Sequence, residues 1–375
     1  MLGGPVSEPS AYRTAGVDYE TLDAGKRDAL GQALTTSELL LGHGARARDE
    51  SRGEPAFVFE LGGRAFALVL ECLGTKSVVA REAEGLLGPA GFDAVAYDTV
   101  AAVVNDLCCV GALPLVVNAY FATGASEWYG QRGRHEALLA GWRAACEDAG
   151  ATWGGGESPT LAGLVAAEDI ELAGCAVGAV PEGHRPVLGD ALEPGDEIVF
   201  VASSGLHANG ASLARRIAAQ LPEGYGARLP SGRGFGEAVL DRSVIYVGLV
   251  RRLLQEAVPV HYLSHITGHG LLKLMRPRRE LGYRVNRLPE VPEVLSFLVE
   301  RAAMAPRAAY CTFNMGVGMA VYCAGGSGER VVELAAAAGL RAHVAGEVTE
   351  GPRRVELPEI GVVLEGAELD FSPGG

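Results

Sequence analysis

The chain has 375 residues, 48% of them apolar and 6% aromatic, and a formal net charge of −14. That length suits two domains of about 100–200 residues each, packed mainly by Ala, Val, Leu and Gly. The acidic balance argues against a general nucleic-acid binder, which carries a basic footprint, and obliges any phosphate-bearing ligand to find local help from backbone amides, Mg²⁺ or a few placed cations.

Residues 1–55 are polar and punctuated, and 42–54, rich in Arg, Gly and acid, reads as a mobile loop. Strands are expected over 56–60 and 65–70 around a turn at Gly62-Gly63. Residues 97–111 form an apolar helical stretch ending at Gly111, and 115–121 a continuous apolar run fit for a buried strand. An amphipathic helix over 134–149 closes at Gly150. A glycine turn at 154–157 precedes a strand near 170–180. The Pro- and Gly-rich stretch from Pro181 to Gly195 divides the chain, giving expected domains of 1–182 and 183–375. Beyond it come a strand at 197–202, a helix from near His207, and another helix over 237–257. A strand at 313–322 and a helix at 329–338 capped by Gly339 follow, and the tail after Gly351 reads as peripheral. This alternation means an α/β or α+β fold.

The seven cysteines include no Cys-x-x-Cys pair, and most lie in apolar runs. They read as buried thiols in a reducing cytoplasm. No basic-then-apolar leader opens the chain. No apolar run reaches the ~18 residues of a membrane span. A soluble cytoplasmic protein that binds neither membrane nor nucleic acid is expected.

Asp98, Asn105 and Asp106 share one face of an otherwise apolar helix. Such groups are costly to bury unless satisfied. They are either a buried hydrogen-bonding set or a Mg²⁺ and phosphate site completed by a carboxylate from elsewhere. Glu71 is a candidate, since it ends an apolar strand before Gly74-Thr75-Lys76, a turn suited to phosphate by amides, hydroxyl and ammonium. This is not a Walker motif, because the upstream glycine and spacing are missing. Gly154-Gly155-Gly156-Glu157 is either a plain loop or a second close approach to a ligand. Ser203-Ser204-Gly205-Leu206-His207-Ala208-Asn209-Gly210 joins strand to helix, where free N–H groups bind anions. His207 and Asn209 would flank that anion, although Ser204 or Asn209 could simply cap the helix. In His265-Ile266-Thr267-Gly268-His269-Gly270 the two histidines are four apart, a metal spacing on a helix, but the glycines favour a loop.

Taken together and in order, these segments resemble the AIR synthetase (phosphoribosylformylglycinamidine cyclo-ligase) superfamily. Ala15-Gly16-Val17-Asp18 is similar to its N-terminal element and Gly74-Thr75-Lys76 to the end of its Asp-Gly-Val-Gly-Thr-Lys motif. Asp98, Val104-Asn105-Asp106, Gly111-Ala112 and Pro114-Leu115 resemble its nucleotide and Mg²⁺ helix. Tyr120 to Gly124, Gly155-Gly156-Glu157, the His207 and His265 segments, and Thr312 to Met319 complete the set. The resemblance implies two α/β domains per subunit, an N-terminal mixed sheet that forms a barrel across a homodimer, and a C-terminal α/β sandwich. It implies ATP and Mg²⁺, with Glu71, Asp98 and Asp106 at the metal. Gly74, Thr75, Lys76, Asp98, Asn105, Gly155, Gly156 and Glu157 would meet the nucleotide, and His207, Asn209 and His265 would do catalytic work. The implied reaction phosphorylates the formamide oxygen of formylglycinamidine ribonucleotide, after which ring closure expels phosphate.

The chain departs from the family pattern at Glu71-Cys72, Ala119, Thr160 to Gly163, His269, Cys311 and the reduced loop Leu41-Gly42-His43-Gly44. A diverged paralogue acting on another amide is therefore the alternative reading, and a non-catalytic nucleotide-binding dimer a third.

Overall fold

A computed structural model describes residues 19–369, with side chains from residue 24 onward. The element expected at Ala15-Gly16-Val17-Asp18 lies outside the described residues. Two sheets carry the fold. The first holds β1 (Ala45–Arg48), β2 (Phe57–Leu61), β3 (Arg64–Cys72), β4 (Leu113–Thr123), β5 (Thr152–Glu157) and β6 (Ile170–Ala179), in the order β1-β2-β3-β6-β4-β5. It is mixed, since β4 and β5 pair in parallel while β3, β6 and β4 pair antiparallel.

One face of this sheet is covered by helices, chiefly Ala90–Cys109 and Arg132–Ala149. The helix Ala90–Cys109 is buried along nearly its whole length, as a helix that is apolar all round must be. It also touches the second sheet through β8. The opposite face is uncovered among the described residues. Strand alternation turns Ala67, Val69 and Glu71 of β3 toward the helices and leaves Leu68 and Leu70 outside.

The second sheet holds β7 (Glu197–Ala202), β8 (Val260–His265), β9 (Leu281–Val285), β10 (Val317–Cys323), β11 (Ala342–Glu350), β12 (Arg354–Leu357) and β13 (Val362–Glu365). Their order is β13-β12-β9-β11-β7-β10-β8. Strand β10 is buried at every residue, which explains its continuous apolar run.

Four expectations change. The stretch 42–54 is not a loop: Ala45-Arg46-Ala47-Arg48 pairs with β2, a charged edge strand of the kind that blocks further pairing. Residues 154–157 are not a turn but edge strand β5. There glycine is required by closeness to β4, since a Cβ on Gly156 would stand 2.0 Å from the Ala119 carbonyl oxygen. The helix expected over 237–257 is two helices, Phe235–Val239 and Val247–Gln255, interrupted where side chains of the Ala90–Cys109 helix capture the backbone. The tail is not peripheral, because β12 and β13 alternate Val355, Leu357, Val362 and Leu364 into the core. Smaller shifts occur at Ala211, where the helix expected near His207 begins, and at Val317, where the strand expected from Phe313 begins.

Candidate active site

A cavity of about 420 Å³ opens where the end of β3, the helix Ala90–Cys109, the segment after β7 and the segment after β8 converge. Glu71, Asn105, Asp106, His207, Asn209 and His265 all line it. These are the metal, nucleotide and catalytic candidates that fall together.

Asp106 is the centre of the polar set. Its Oδ1 accepts from Nδ1 of His265 at 2.6 Å, fixing the proton on that nitrogen. Burial pushes the Asp106 carboxyl up, but the hydrogen bond and charge of His265, aided by Lys273 and Arg276, hold it below its ordinary value. Glu71 goes the other way. Burial first, and then repulsion from Asp106, raise it to about 7 against the attraction of Lys273, Arg276 and Lys26. Two carboxylates that repel each other across a cavity form a place for a cation.

His207 presents a donor. Its Nε2 accepts from the backbone N–H of Ser204 at 3.2 Å and of Val244 at 3.4 Å, so Nε2 carries the lone pair and the proton sits on Nδ1. That Nδ1 is buried and has no partner among the described residues. Burial, then the positive charges of His265 and Lys76, hold the imidazole well below its ordinary value. It is therefore a neutral ring with a spare N–H at the cavity wall. The ring is placed by a strained backbone, with φ of +57° at His207. Asn314 holds the loop in that shape: its Nδ2 donates to the Gly205 carbonyl at 2.8 Å and its Oδ1 accepts from Ser203 Oγ at 3.0 Å. Gly318 leaves room beside it, since a Cβ there would stand 1.7 Å from the Tyr246 hydroxyl. The Thr312 to Met319 motif thus shapes the His207 loop from behind.

Asn105 faces the cavity but spends its amide on structure. Its Nδ2 donates to the Val244 carbonyl and its Oδ1 accepts from the Tyr246 N–H, each at 2.8 Å. This is one of the two grips that break the helix after Val239.

Asp98, expected at the metal, is the other grip and does not line this cavity. Its Oδ1 accepts from the Ser243 N–H at 2.6 Å and its Oδ2 from Lys76 Nζ at 2.5 Å. Asp98 and Lys76 are both fully buried outside the cavity. Lys76 also donates to the carbonyls of His207 at 2.8 Å and Asp241 at 3.2 Å, which uses all three of its protons. In this structure it is an internal tie between Asp98, the His207 loop and Asp241. Gly74 and Thr75 likewise lie off the cavity, and Thr75 Oγ1 meets Ser212 Oγ at 2.8 Å. Gly155, Gly156 and Glu157 stand exposed on β5, away from this cavity. Of the family departures, Glu71, Cys72 and His269 line the cavity, whereas Ala119, Thr160 and Cys311 do not.

The residues that sequence reasoning missed are cations. Lys273 is buried in the cavity wall and donates to Thr267 Oγ1. Burial, reinforced by Arg276, brings its ammonium down to about 8 against the pull of Asp106 and Glu71. Arg276 donates from Nε to the Gly53 carbonyl at 2.9 Å. Lys273 had a signal, being a single charge inside the apolar run Leu271 to Met275, the same anomaly that marks Asp98.

The site suits a divalent cation that arrives with its ligand. Among the described residues no group of three His, Cys, Asp or Glu side chains could hold a metal alone. Mg²⁺ is commonly held by one or two carboxylates plus substrate phosphates, and Glu71 with Asp106 supplies that donor set.

A mixed sheet backed by a carboxylate-bearing helix thus meets, across one cavity, a histidine loop from a second sheet. The chain belongs to the AIR synthase related family: the N-terminal domain of that family matches residues 53–180 and its C-terminal domain residues 193–357. Phosphoribosylformylglycinamidine cyclo-ligase of Methanothermobacter thermautotrophicus is 35% identical over 309 residues, covering 81% of this chain and 86% of the relative. The enzyme of the same name from Methanococcus maripaludis is 30% identical over 342 residues, covering 90% and 92%. Solved structures share the fold at lower identity. A HypE–HypF complex superposes with a TM-score of 0.58 at 18% identity, covering 81% of this chain and 89% of that one. AaThiL complexed with AMPPCP and TMP gives 0.57 at 17%, covering 83% and 89%.

Proposed function

We propose that this chain is an ATP-dependent cyclo-ligase that closes the aminoimidazole ring of formylglycinamidine ribonucleotide. The observation that carries the reading is the convergence of Glu71, Asp106, His265 and His207 on one cavity in a chain 35% identical to a named cyclo-ligase. In the reaction the formamide oxygen attacks the γ-phosphorus of ATP and ADP leaves. The amidine nitrogen then attacks the activated carbon, the carbon–oxygen bond breaks, phosphate departs with that oxygen, and a proton is lost from nitrogen. An amide oxygen is a poor leaving group and phosphate a good one, so the protein's task is positioning and charge stabilisation.

Each residue has a part in that task. Glu71 and Asp106 would hold Mg²⁺, which offsets charge on the nucleotide phosphates. His207 donates its free Nδ1–H to the oxygen that gains charge, and its neutrality keeps that donor in one state. His265 orients Asp106. Lys273 adds positive charge beside the phosphoryl group. ATP is the nucleotide by this reading, in line with the AMPPCP bound by AaThiL.

The homodimer of this reading is supported by the face of the first sheet that stays uncovered among the described residues. Leu70 is 70% exposed and Leu115 49%, with Leu68 and Val116 beside them. A contiguous apolar patch of this kind marks an interaction surface, and a second copy would cover it as the family barrel does. The expected compartment is the cytoplasm; no helix among the described residues is long and apolar enough to cross a membrane. The domain division at 1–182 and 183–375 is part of the same reading.

The direct test is conversion of formylglycinamidine ribonucleotide and Mg-ATP to the aminoimidazole product by purified protein. A paralogue acting on another amide is the second reading, favoured by His269 in the cavity wall. Absence of that product together with ATP hydrolysis stimulated by another amide would select it.

A further inference from the structure

Beside the catalytic cavity lies a second one of about 380 Å³, and the two share Gly53, Glu54 and Arg276 as a common wall. Six arginines line it: Arg48, Arg52, Arg185, Arg276, Arg278 and Arg279, against four carboxylates. In a chain of net charge −14 this is a local reversal of sign. Much of the acid is already engaged. Asp49 accepts from Ser37 Oγ at 2.7 Å and pairs with Arg52 at 3.8 Å. Glu54 accepts from the Tyr262 hydroxyl at 2.7 Å.

Arg48, Arg52, Arg185 and Arg279 keep capacity for a further ligand. The Nε atoms of Arg48 and Arg52 are buried without a hydrogen-bond acceptor among the described residues, although Arg48 Nε lies 3.4 Å from the Glu60 carboxylate and Arg52 donates from Nη2 to Ser37 Oγ at 3.3 Å. Arg279 is fixed by the carbonyls of Gly189, Asp190 and Leu192, which are uncharged, so its charge is not neutralised by that anchoring. Arg185 makes no ion pair among the described residues and stands exposed at the rim. Fixed guanidinium groups with spare N–H donors recognise phosphate oxygens in a planar, often bidentate fashion.

We infer that this second cavity binds the phosphate monoester of the substrate, while the substrate's reacting amide lies across the shared wall near His207 and Asp106. The inference rests on the proposed function for the identity of the substrate. The binding of a phosphate monoester can be read without turnover.

Arg185 is exposed, so its replacement leaves the core untouched. Calorimetric titration of ribose 5-phosphate, inorganic phosphate and AMPPCP with Mg²⁺ into the full chain, the Arg185→Glu variant and the milder Arg185→Gln variant tests the assignment. Ribose 5-phosphate should bind the natural chain and lose about tenfold in affinity in Arg185→Glu, the worth of one hydrogen bond to a charged group. Arg185→Gln should lose less, and AMPPCP affinity should stay within about twofold. Equal ribose 5-phosphate binding by all three proteins overturns the inference. So does a loss of AMPPCP affinity, which would give the cavity to the nucleotide. Inorganic phosphate binding that falls while ribose 5-phosphate binding does not would reduce the cavity to a site for free phosphate, and also overturns it. If the monoester effect appears but no aminoimidazole product forms, the cavity stands and the cyclo-ligase reading fails.

Discussion

Asp98 and Asp106 stand eight residues apart on one helix, both buried and both surrounded by Val, Ala, Leu and Cys. Asp98 is closed: one oxygen takes the Ser243 N–H, the other takes Lys76, and Lys76 in turn ties down the His207 loop and Asp241. Asp106 is open: it takes one histidine and faces a second carboxylate and a cavity. The same helix thus carries one acid tied into the packing and one acid facing the cavity. The difference lies in what reaches each from other parts of the chain. A buried ion pair costs desolvation on both partners and rarely adds much net stability, yet breaking one side of it is severe. Through Lys76, the pair ties the His207 carbonyl to the Ala90–Cys109 helix.

The largest expected effect breaks the closed acid. Asp98→Asn should strand the Lys76 charge and cost about 3–5 kcal/mol of stability, read by denaturant unfolding. An unfolding free energy equal to that of the natural chain would return Asp98 to the metal-ligand role. Next comes His207→Asn, chosen because asparagine tolerates the left-handed backbone there. It should lower kcat by about 10²–10³ with little change in KM, the loss typical of one oxyanion donor. An unchanged kcat would make the histidine a cap only.

Third, Asp106→Asn should reduce turnover by at least about 10–100-fold, the loss seen when even outer partners of a metal site are removed. Its unfolding midpoint should move far less than that of Asp98→Asn. Similar destabilisation in both variants would erase the contrast between the two acids.

The smallest effect is in pH. Glu71 is raised from 4.5 to about 7 in the folded chain. The folded state therefore holds the extra proton between those values, and stability without Mg²⁺ falls as pH rises from about 4.5 to 7. Mg²⁺ binding, which needs the carboxylate, should strengthen over the upper part of the same window. Glu71→Gln should flatten both trends, as followed by thermal unfolding with and without Mg²⁺.

What could be read from the sequence was local. The strand at 197–202 has its expected bounds and the helix Arg132–Ala149 its expected end at Gly150, because alternation and a left-handed cap are short-range signals. Glu71, Asp106, His207 and His265 were legible as polar groups in apolar or glycine-rich surroundings, and the fold brings them together. The Lys76–Asp98 tie was not legible, because its partners meet only after two helices pack side by side. Nor was the break between Val239 and Val247, where hydrogen bonds from Asp98 and Asn105 override helical propensity. The glycines at 154–156 mimic a loop signal while serving close strand packing. The second cavity gathers arginines from residues 48–52, 185 and 276–279, a juxtaposition invisible to any single window.

The most direct test of the account is aminoimidazole formation from formylglycinamidine ribonucleotide and Mg-ATP by the natural chain and by Asp106→Asn, with unfolding midpoints measured on the same samples. The account predicts product from the natural chain and its loss in the folded variant. No product from a folded natural chain, or full activity in Asp106→Asn, would contradict it.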